Sequence, residues 1–438
     1  MPLKTETLLR SLGLVALFVA RGVCAQAAAP APAPPVDPVA LAAKVQQDVE
    51  AIRGLPFKQS IPLAKQSPED FGRYLDREMT EAVPEAVSEH FGKIVRRLGL
   101  YRGPEIEDFR GMMRTVMTSQ AAAYYDPETK RIYILSGTGN ELELGVIYAH
   151  ELYHGMQDQY FDLNAYLPAK TKLDGDHALA RQAVVEGEAT YVHTLWVIRR
   201  MTNGMPPRAL IAPAIRMQAD LTIDQMRSMV GDSAQEAMAE IDNIPPFILE
   251  TLLGNYLKGA AFVFAVQEQG WPAVEKLYKE YPPQSTEQIL HPEKWLAREG
   301  PATIAWPDFR KVPTLKDWEL IDDDVLGEIQ WRIIFNVQGQ QATSEAAAAG
   351  WDADRYAVFK RKGSDETLLL LRTSWDSEAE AAQFADSYRR ALTVKYEGAS
   401  DPVRVEQQGA EVFVVEGGRK ADLDALMQVV KQAKKTRG

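Results

Sequence analysis

The chain has 438 residues, a net charge of −12, 25% charged and 46% hydrophobic residues, and one cysteine. That length carries two or three domains with a sizeable core, and the composition is globular rather than disordered. The acidic balance argues against a nucleic-acid backbone as partner, and the lone Cys24 excludes an internal disulfide or a thiolate-built zinc site.

Lys4 and Arg10 make a basic start, and Leu12 to Ala20 is apolar but too short to span a bilayer. Val23-Cys24-Ala25 then supplies small residues, so residues 1–25 read as a signal peptide cleaved after Ala25. The mature protein is expected in the periplasm or secreted. Arg21 stands where a lipobox wants an aliphatic residue, which argues against lipidation of Cys24. Residues 26–38 form an Ala/Pro-rich tether. No later apolar run reads as long enough to anchor the chain, so no transmembrane segment is expected after cleavage.

Residues 39–300 are expected to form one mainly helical domain with a small sheet. Arg53-Gly54-Leu55-Pro56 marks a break, and Ser67-Pro68-Glu69-Asp70 a helix start. Tyr124 to Ile134 reads as two short strands around an Asp126-Pro127 turn. Ser136-Gly137-Thr138-Gly139-Asn140 breaks the chain, and a helix begins at Glu141. A second helix spans about Asp176 to Arg200. Helical patterns then run to about Lys294, interrupted at Pro206-Pro207, Pro245-Pro246 and Pro282-Pro283. From Pro301 the texture changes. Strands are expected near 356–359, 367–371, 403–405 and 412–415, and helices over 378–392 and 421–434. Residues 301–438 are therefore read as a smaller α+β domain, and the fold class as α+β.

The helix after Glu141 carries His150-Glu151-Leu152-Tyr153-His154. Histidines at i and i+4 stand one turn apart, with Cβ atoms about 6 Å from each other, so both rings can reach one ion. Two surface histidines on an amphipathic helix would give the same pattern. A catalytic zinc takes three protein ligands plus water. Glu151 lies about 100° around the helix from His150, where it can flank the ion without binding it and take a proton from zinc-bound water. The third ligand must come from nearby, and Val185-Glu186-Gly187-Glu188 offers two carboxylates. Ala183, Ala189 and Thr190 surround Glu186 and leave room for a second helix. Val184, Val185, Tyr191 and Val192 surround Glu188, whose face reads as core packing with a misfit acid. Burial alone suits either face, so the small residues lean only modestly to Glu186 and both carboxylates stay open on the residues.

The stretch H-E-L-Y-H-G-M-Q-D-Q-Y-F-D-L, His150 to Leu163, followed by V-V-E-G-E-A-T, Val184 to Thr190, resembles gluzincin-type HExxH metallopeptidases. More narrowly it resembles a little-characterised bacterial group with an H-E-L-x-H-x-x-Q-D-Q-x-F-D-L helix. The likeness runs upstream through Y-Y-D-P-E-T-K-R-I-Y-I and downstream through S-T-E-Q-I-L-H-P-E-K-W, covering about residues 45–300. Tyr160 stands where a metzincin would have its third histidine. The resemblance implies a zincin-like domain holding one Zn2+ on His150, His154 and Glu186, with Glu151 as base. It also implies that the strand Arg131 to Leu135 is an edge that pairs with substrate backbone, making the substrate a peptide or unfolded protein segment. Many gluzincins have an aspartate four residues after the ligand glutamate to orient a histidine. Here Thr190 stands there, leaving Asp158 or Asp176 as the expected orienting group.

Amide hydrolysis also needs an oxyanion donor. His291, after a capping box Ser285-x-x-Gln288 and before Pro292, is the first candidate, and Tyr256 the second; a packed or surface role is the alternative for both. His193 lies about 10 Å along the helix from Glu186, too far to share an ion, and reads as a core or supporting group. His90 and His177 read as solvent-exposed, and Phe262, Phe264 and Trp271 as core. Gly350-Trp351-Asp352 and the helix start at Trp375-Asp376 are placed to meet. The leading expectation is an exported zinc metallopeptidase. The alternatives are a zinc-stabilised binding or scaffold protein without turnover, and a zinc hydrolase of non-peptide amides.

Overall fold

The computed structural model describes residues 37–437 apart from 83–84, 136–139, 169–172, 224, 226–243 and 398–400. The expected signal peptide, the tether as far as Val36 and the break at Ser136 to Gly139 lie outside the described residues.

Helix α1 (Pro38–Arg53) starts on an Asp37 cap and stops at Gly54, whose φ of 72° is the left-handed conformation that ends helices. Strand β1 (Leu63–Lys65), helices α2 (Pro68–Ala82), α3 (Glu85–Leu98) and α4 (Phe109–Gln120), and strands β2 (Ala123–Asp126) and β3 (Arg131–Ile134) follow. The sheet order is β1-β3-β2, with β1 parallel and β2 antiparallel to β3. This corrects one expectation: β3 is the central strand, paired on both sides, and not an edge open to a substrate backbone.

Helix α5 (Glu141–Phe161) carries the two histidines. Asn140 caps it and Glu143 returns to the Asn140 N–H, a complete capping box reinforced by Glu141 and Glu143 at the positive end of the dipole. A short α6 (Leu163–Tyr166) leads to α7 (Gly175–Thr202), which Asp174 caps and Asn203 closes at φ 51°. Helices α5 and α7 run antiparallel, since His150 faces His193 while Gln157 faces Val185.

After α8 (Arg208–Ala219), α9 (Pro246–Leu253) continues through a π-helical turn, Gly254–Lys258, into α10 (Gly259–Gln267). Together they make a 22-residue helix, Pro246–Gln267, long and apolar enough by composition to cross a membrane. The expectation that no later apolar run has that length is therefore corrected. Within the protein the helix is mostly buried, so it serves as a core helix. It crosses α7 at two glycines. A Cβ on Gly187 would lie 2.2 Å from the carbonyl carbon of Gly259, and one on Gly259 2.1 Å from the Ala183 oxygen. Only hydrogen fits on either helix at that point.

Helices α11 (Trp271–Lys279), α12 (Thr286–Leu290) and α13 (Pro292–Leu296) and strand β4 (Thr303–Ala305) lead into the C-terminal part. There β5 (Trp318–Asp324), α14 (Gly327–Val337), α15 (Ser344–Ala348), β6 (Trp351–Arg361), β7 (Thr367–Trp375), α16 (Glu378–Lys395), β8 (Val403–Gln408), β9 (Glu411–Gly417), α17 (Leu423–Gln432) and β10 (Lys434–Thr436) build an antiparallel sheet of order β5-β6-β7-β9-β8, with β10 paired to β4. Trp351 sits opposite Trp375, and the Asp376 N–H donates to Gly350 O at 2.8 Å, so those two segments meet, but as paired ends of β6 and β7, with the helix starting later at Glu378. The fold is α+β with small sheets.

Two large apolar clusters hold the chain together. One surrounds α1, β2, β3, α5, α7, α10 and α11. The other joins α2, α3 and α4 (Phe71, Phe91, Phe109, Met117) to α9, α14, β6, β7 and α16 (Phe247, Trp331, Trp351, Trp375, Phe384). That second cluster crosses the expected boundary at 300/301. Polar contacts cross it too: the Gly175 N–H donates to Asp324 Oδ1 at 2.8 Å, and Arg97 Nε to Thr367 Oγ1 at 2.7 Å.

Candidate metal centre

The antiparallel pairing of α5 and α7 sets Glu186 against the two imidazoles. His150 Nε2 and His154 Nε2 lie 3.0 Å apart, and Glu186 Oε2 lies 3.3 Å from the first and 3.4 Å from the second. Ligands about 2.0–2.1 Å from a tetrahedral ion stand roughly 3.3 Å from one another. The three atoms thus mark three corners of a tetrahedron of the right size, and all three residues are buried. The electrostatics ask for a cation. Burial alone would lower the His154 pKa, but the Glu186 carboxylate outweighs it and holds the ring up to about 9. Burial and His154 push His150 down to about 4. Burial opposes ionisation of Glu186, yet the two histidines bring its pKa below the ordinary value. A proton on His154 stands there for the positive charge that a buried His-His-Glu group would take from a metal ion.

Glu151 is 1% exposed. Its Oε2 accepts the Tyr125 N–H of β2 at 2.7 Å, while Oε1 has no partner. Burial pushes its pKa up to about 7, with Glu186 adding to the rise and His154 and the Tyr125 N–H opposing it. That is the range in which a carboxylate both accepts and returns a proton at neutral pH. β2, not β3, is the strand that lies against this residue.

Tyr256 stands on the π-helical turn, and such turns recur at functional sites. Its ring stacks on His150 with centroids 5.7 Å apart and 15° between planes. Its hydroxyl is buried without a hydrogen-bond partner. Burial, then Glu186 and Glu151, push its pKa well above the ordinary value, so it keeps its proton and can donate it. His291 is placed differently. Its Nε2 pairs with Glu328 at 3.1 Å and Nδ1 lies 3.8 Å from Glu293, so its polar partners are on α13 and α14 rather than in the metal group. Half of its expected capping box forms: Ser285 accepts the Gln288 N–H, while Gln288 Oε1 takes the Gln284 N–H instead.

The groups that orient the ligands differ from those expected. Asp158 bonds Tyr125 Oη, Lys130 Nζ and the Leu163 N–H, and Asp176 bonds Thr286; neither touches a ligand histidine. His150 Nδ1 instead meets His193 Nδ1 at 3.3 Å, and His154 Nδ1 meets Gln157 Oε1 at 2.8 Å. Burial, His150 and His154 hold His193 well below its ordinary pKa, so it is neutral and can accept from His150. Glu188 is no misfit. Tyr153 and Tyr278 donate to it at 2.5 and 2.6 Å, Gln157 Nε2 at 3.1 Å, and Arg53 Nε lies 3.4 Å away. The sequence held one local signal for this. Gln157 follows His154 by three residues, hence on the same face of α5. His90 and His177 are half-buried rather than exposed. Phe262 is fully buried, and Phe264 and Trp271 pack against the same core.

Residues 317–427 match the model of a domain of unknown function, DUF8575. The match covers the C-terminal sheet from β5 to α17 and stops short of the metal-centre residues. No curated protein and no solved structure matches the chain.

Proposed function

We propose that the protein is a zinc-dependent peptidase of the gluzincin type, exported by its N-terminal segment, that holds one Zn2+ on His150, His154 and Glu186. The observation that carries this reading is the tetrahedral spacing of the three ligand atoms beside a buried carboxylate with one free oxygen. A purely structural zinc site is closed by a fourth protein ligand and has no use for such a base. When bound, the ion would supply a Lewis acid that polarises a carbonyl and acidifies water. Glu151 Oε1 would accept the proton of the attacking water and pass it to the leaving amine, while the Tyr125 N–H fixes its other oxygen. Tyr256 would donate its hydroxyl proton as a hydrogen bond to the developing oxyanion.

The test uses the full chain. Metal content is measured by mass spectrometry, and casein and a peptide library are the substrates, with Glu151→Gln as control. One zinc per chain with cleavage that vanishes in Glu151→Gln is the expected result. Zinc with no Glu151-dependent cleavage would favour the scaffold, and no zinc would overturn the site.

A further inference from the structure

Gln157, which meets His154 Nδ1, is fully buried, and both polar atoms of its side chain are engaged. Its Nε2 faces Val185 O at 3.0 Å, Glu188 Oε2 at 3.1 Å and Tyr278 Oη at 2.8 Å. Val185 O can only accept, Glu188 takes donors from Tyr153 and Tyr278 beside the Arg53 guanidinium, and Tyr278 thereby gives its own proton to Glu188. The amide can therefore face them only with its NH2 end, because the flipped amide would set oxygen against two acceptors. That leaves Oε1 toward His154, so His154 Nδ1 must carry a hydrogen, and Nε2 is the nitrogen left to give its lone pair to a metal ion. Nε2 is the atom that faces His150 and Glu186.

We propose that Gln157 is the positioning residue of His154, and that it acts through a hydrogen-bond relay whose direction is set by Glu188 and whose charge is balanced by Arg53. This deepens the metallopeptidase reading and rests on it. Arg53 reaches the relay from the C-terminal end of α1. It donates to Tyr153 Oη at 2.9 Å, Tyr153 donates to Glu188, and the guanidinium stacks over Trp271 at 4.3 Å. A charged carboxylate sits one amide away from the ligand ring rather than on it. A carboxylate at 157 would instead stand about 3 Å from Glu188, where two like charges repel.

The relay makes a prediction that a simple acceptor role does not. Removing the acceptor in Gln157→Leu should weaken zinc binding about 10–100-fold, the usual effect of losing an outer partner of a ligand histidine. Gln157→Glu keeps an acceptor for His154 but reverses the relay, and it should weaken binding by a similar factor. Gln157→Glu with Glu188→Gln restores a donor opposite an acceptor and should bring affinity back to within about threefold of wild type. Affinity is read by competition with a chromophoric chelator, cobalt(II) absorption reports ligand geometry, and circular dichroism confirms that each variant is folded. Nitrogen chemical shifts of His154 in the wild-type zinc protein give a second, mutation-free measurement. They should report hydrogen on Nδ1 and metal on Nε2. Wild-type or tighter zinc binding by Gln157→Glu, or metal on Nδ1 of His154, would overturn the relay. Undiminished binding by His154→Ala would instead overturn the metal site itself, which separates the two failures.

Discussion

Replacing Gly259 by alanine asks whether the close crossing of α7 and α10 is what brings Tyr256 to the metal group. The new Cβ would lie 2.1 Å from the Ala183 oxygen and 3.0 Å from Gly187 Cα. Neither atom is the end of a flexible side chain. The helices must separate, by about 1.3 Å if the tighter contact is to reach an ordinary 3.4 Å. Overpacking costs about 1–3 kcal/mol, and the upper end applies because backbone has to move. Alanine offsets up to about 1 kcal/mol through helix propensity. The net is a destabilisation of about 2 kcal/mol, read as a lower urea midpoint with an unchanged slope. Function should split. The three ligands stand on α5 and α7, whereas Tyr256 is on the far side of the crossing, three residues before Gly259. Zinc affinity should stay within about twofold, while peptide kcat falls about a hundredfold, the scale of a 1 Å misplacement. A variant with the wild-type urea midpoint and kcat refutes the reasoning.

Tyr256→Phe should retain zinc and KM but lose about 10²–10³ in kcat, measured by steady-state cleavage of a fluorogenic peptide; an unchanged kcat removes Tyr256 as donor. Stripping the ion with a chelator should lower the melting temperature in calorimetry. At free zinc about a thousand times the Kd the ion contributes about 4 kcal/mol, so coincident scans with and without chelator would count against a site in the folded state. Arg53→Met leaves Glu188 buried without its cation and should cost about 3–5 kcal/mol in urea unfolding, whereas Arg53→Met with Glu188→Leu should cost less than the single change. Equal costs would mean that the pair is not coupled.

Signals written in neighbouring residues are the ones the sequence makes legible. The start of α5 follows from Asn140 and Glu143, and α7, expected over Asp176 to Arg200, spans Gly175–Thr202. The short continuous apolar runs near 356, 367 and 412 become β6, β7 and β9. The i,i+4 histidines and the small residues around Glu186 point to the metal group for the same reason. What is not legible depends on partners far away in the chain. Strand β5 ends in Ile321-Asp322-Asp323-Asp324, whose three successive acids carry no strand pattern of their own. It is a strand because Tyr356 Oη donates to Asp322 at 2.6 Å and the Gly175 N–H satisfies Asp324. The central place of β3 depends on β1, a short strand far upstream whose residues carry no mark of their partner; only the register of Leu63 against Ile132 reveals it. Glu188 looks like an error in an apolar face until Arg53, Tyr153 and Tyr278 arrive from three other segments.

The helix that bears Glu186 is bolted at its first turn to the chain beyond residue 300. Gly175 is held by Asp324, and Asp176 is wedged beside Gly327, where an added Cβ would lie 1.7 Å from Asp176 Oδ1. A polypeptide trimmed to the HExxH-bearing portion would lose this footing along with half the oily lining beneath α2, α3 and α4. The C-terminal sheet thus braces the helix that bears the carboxylate, and cutting it away should disperse the proposed metal group before any question of substrate arises.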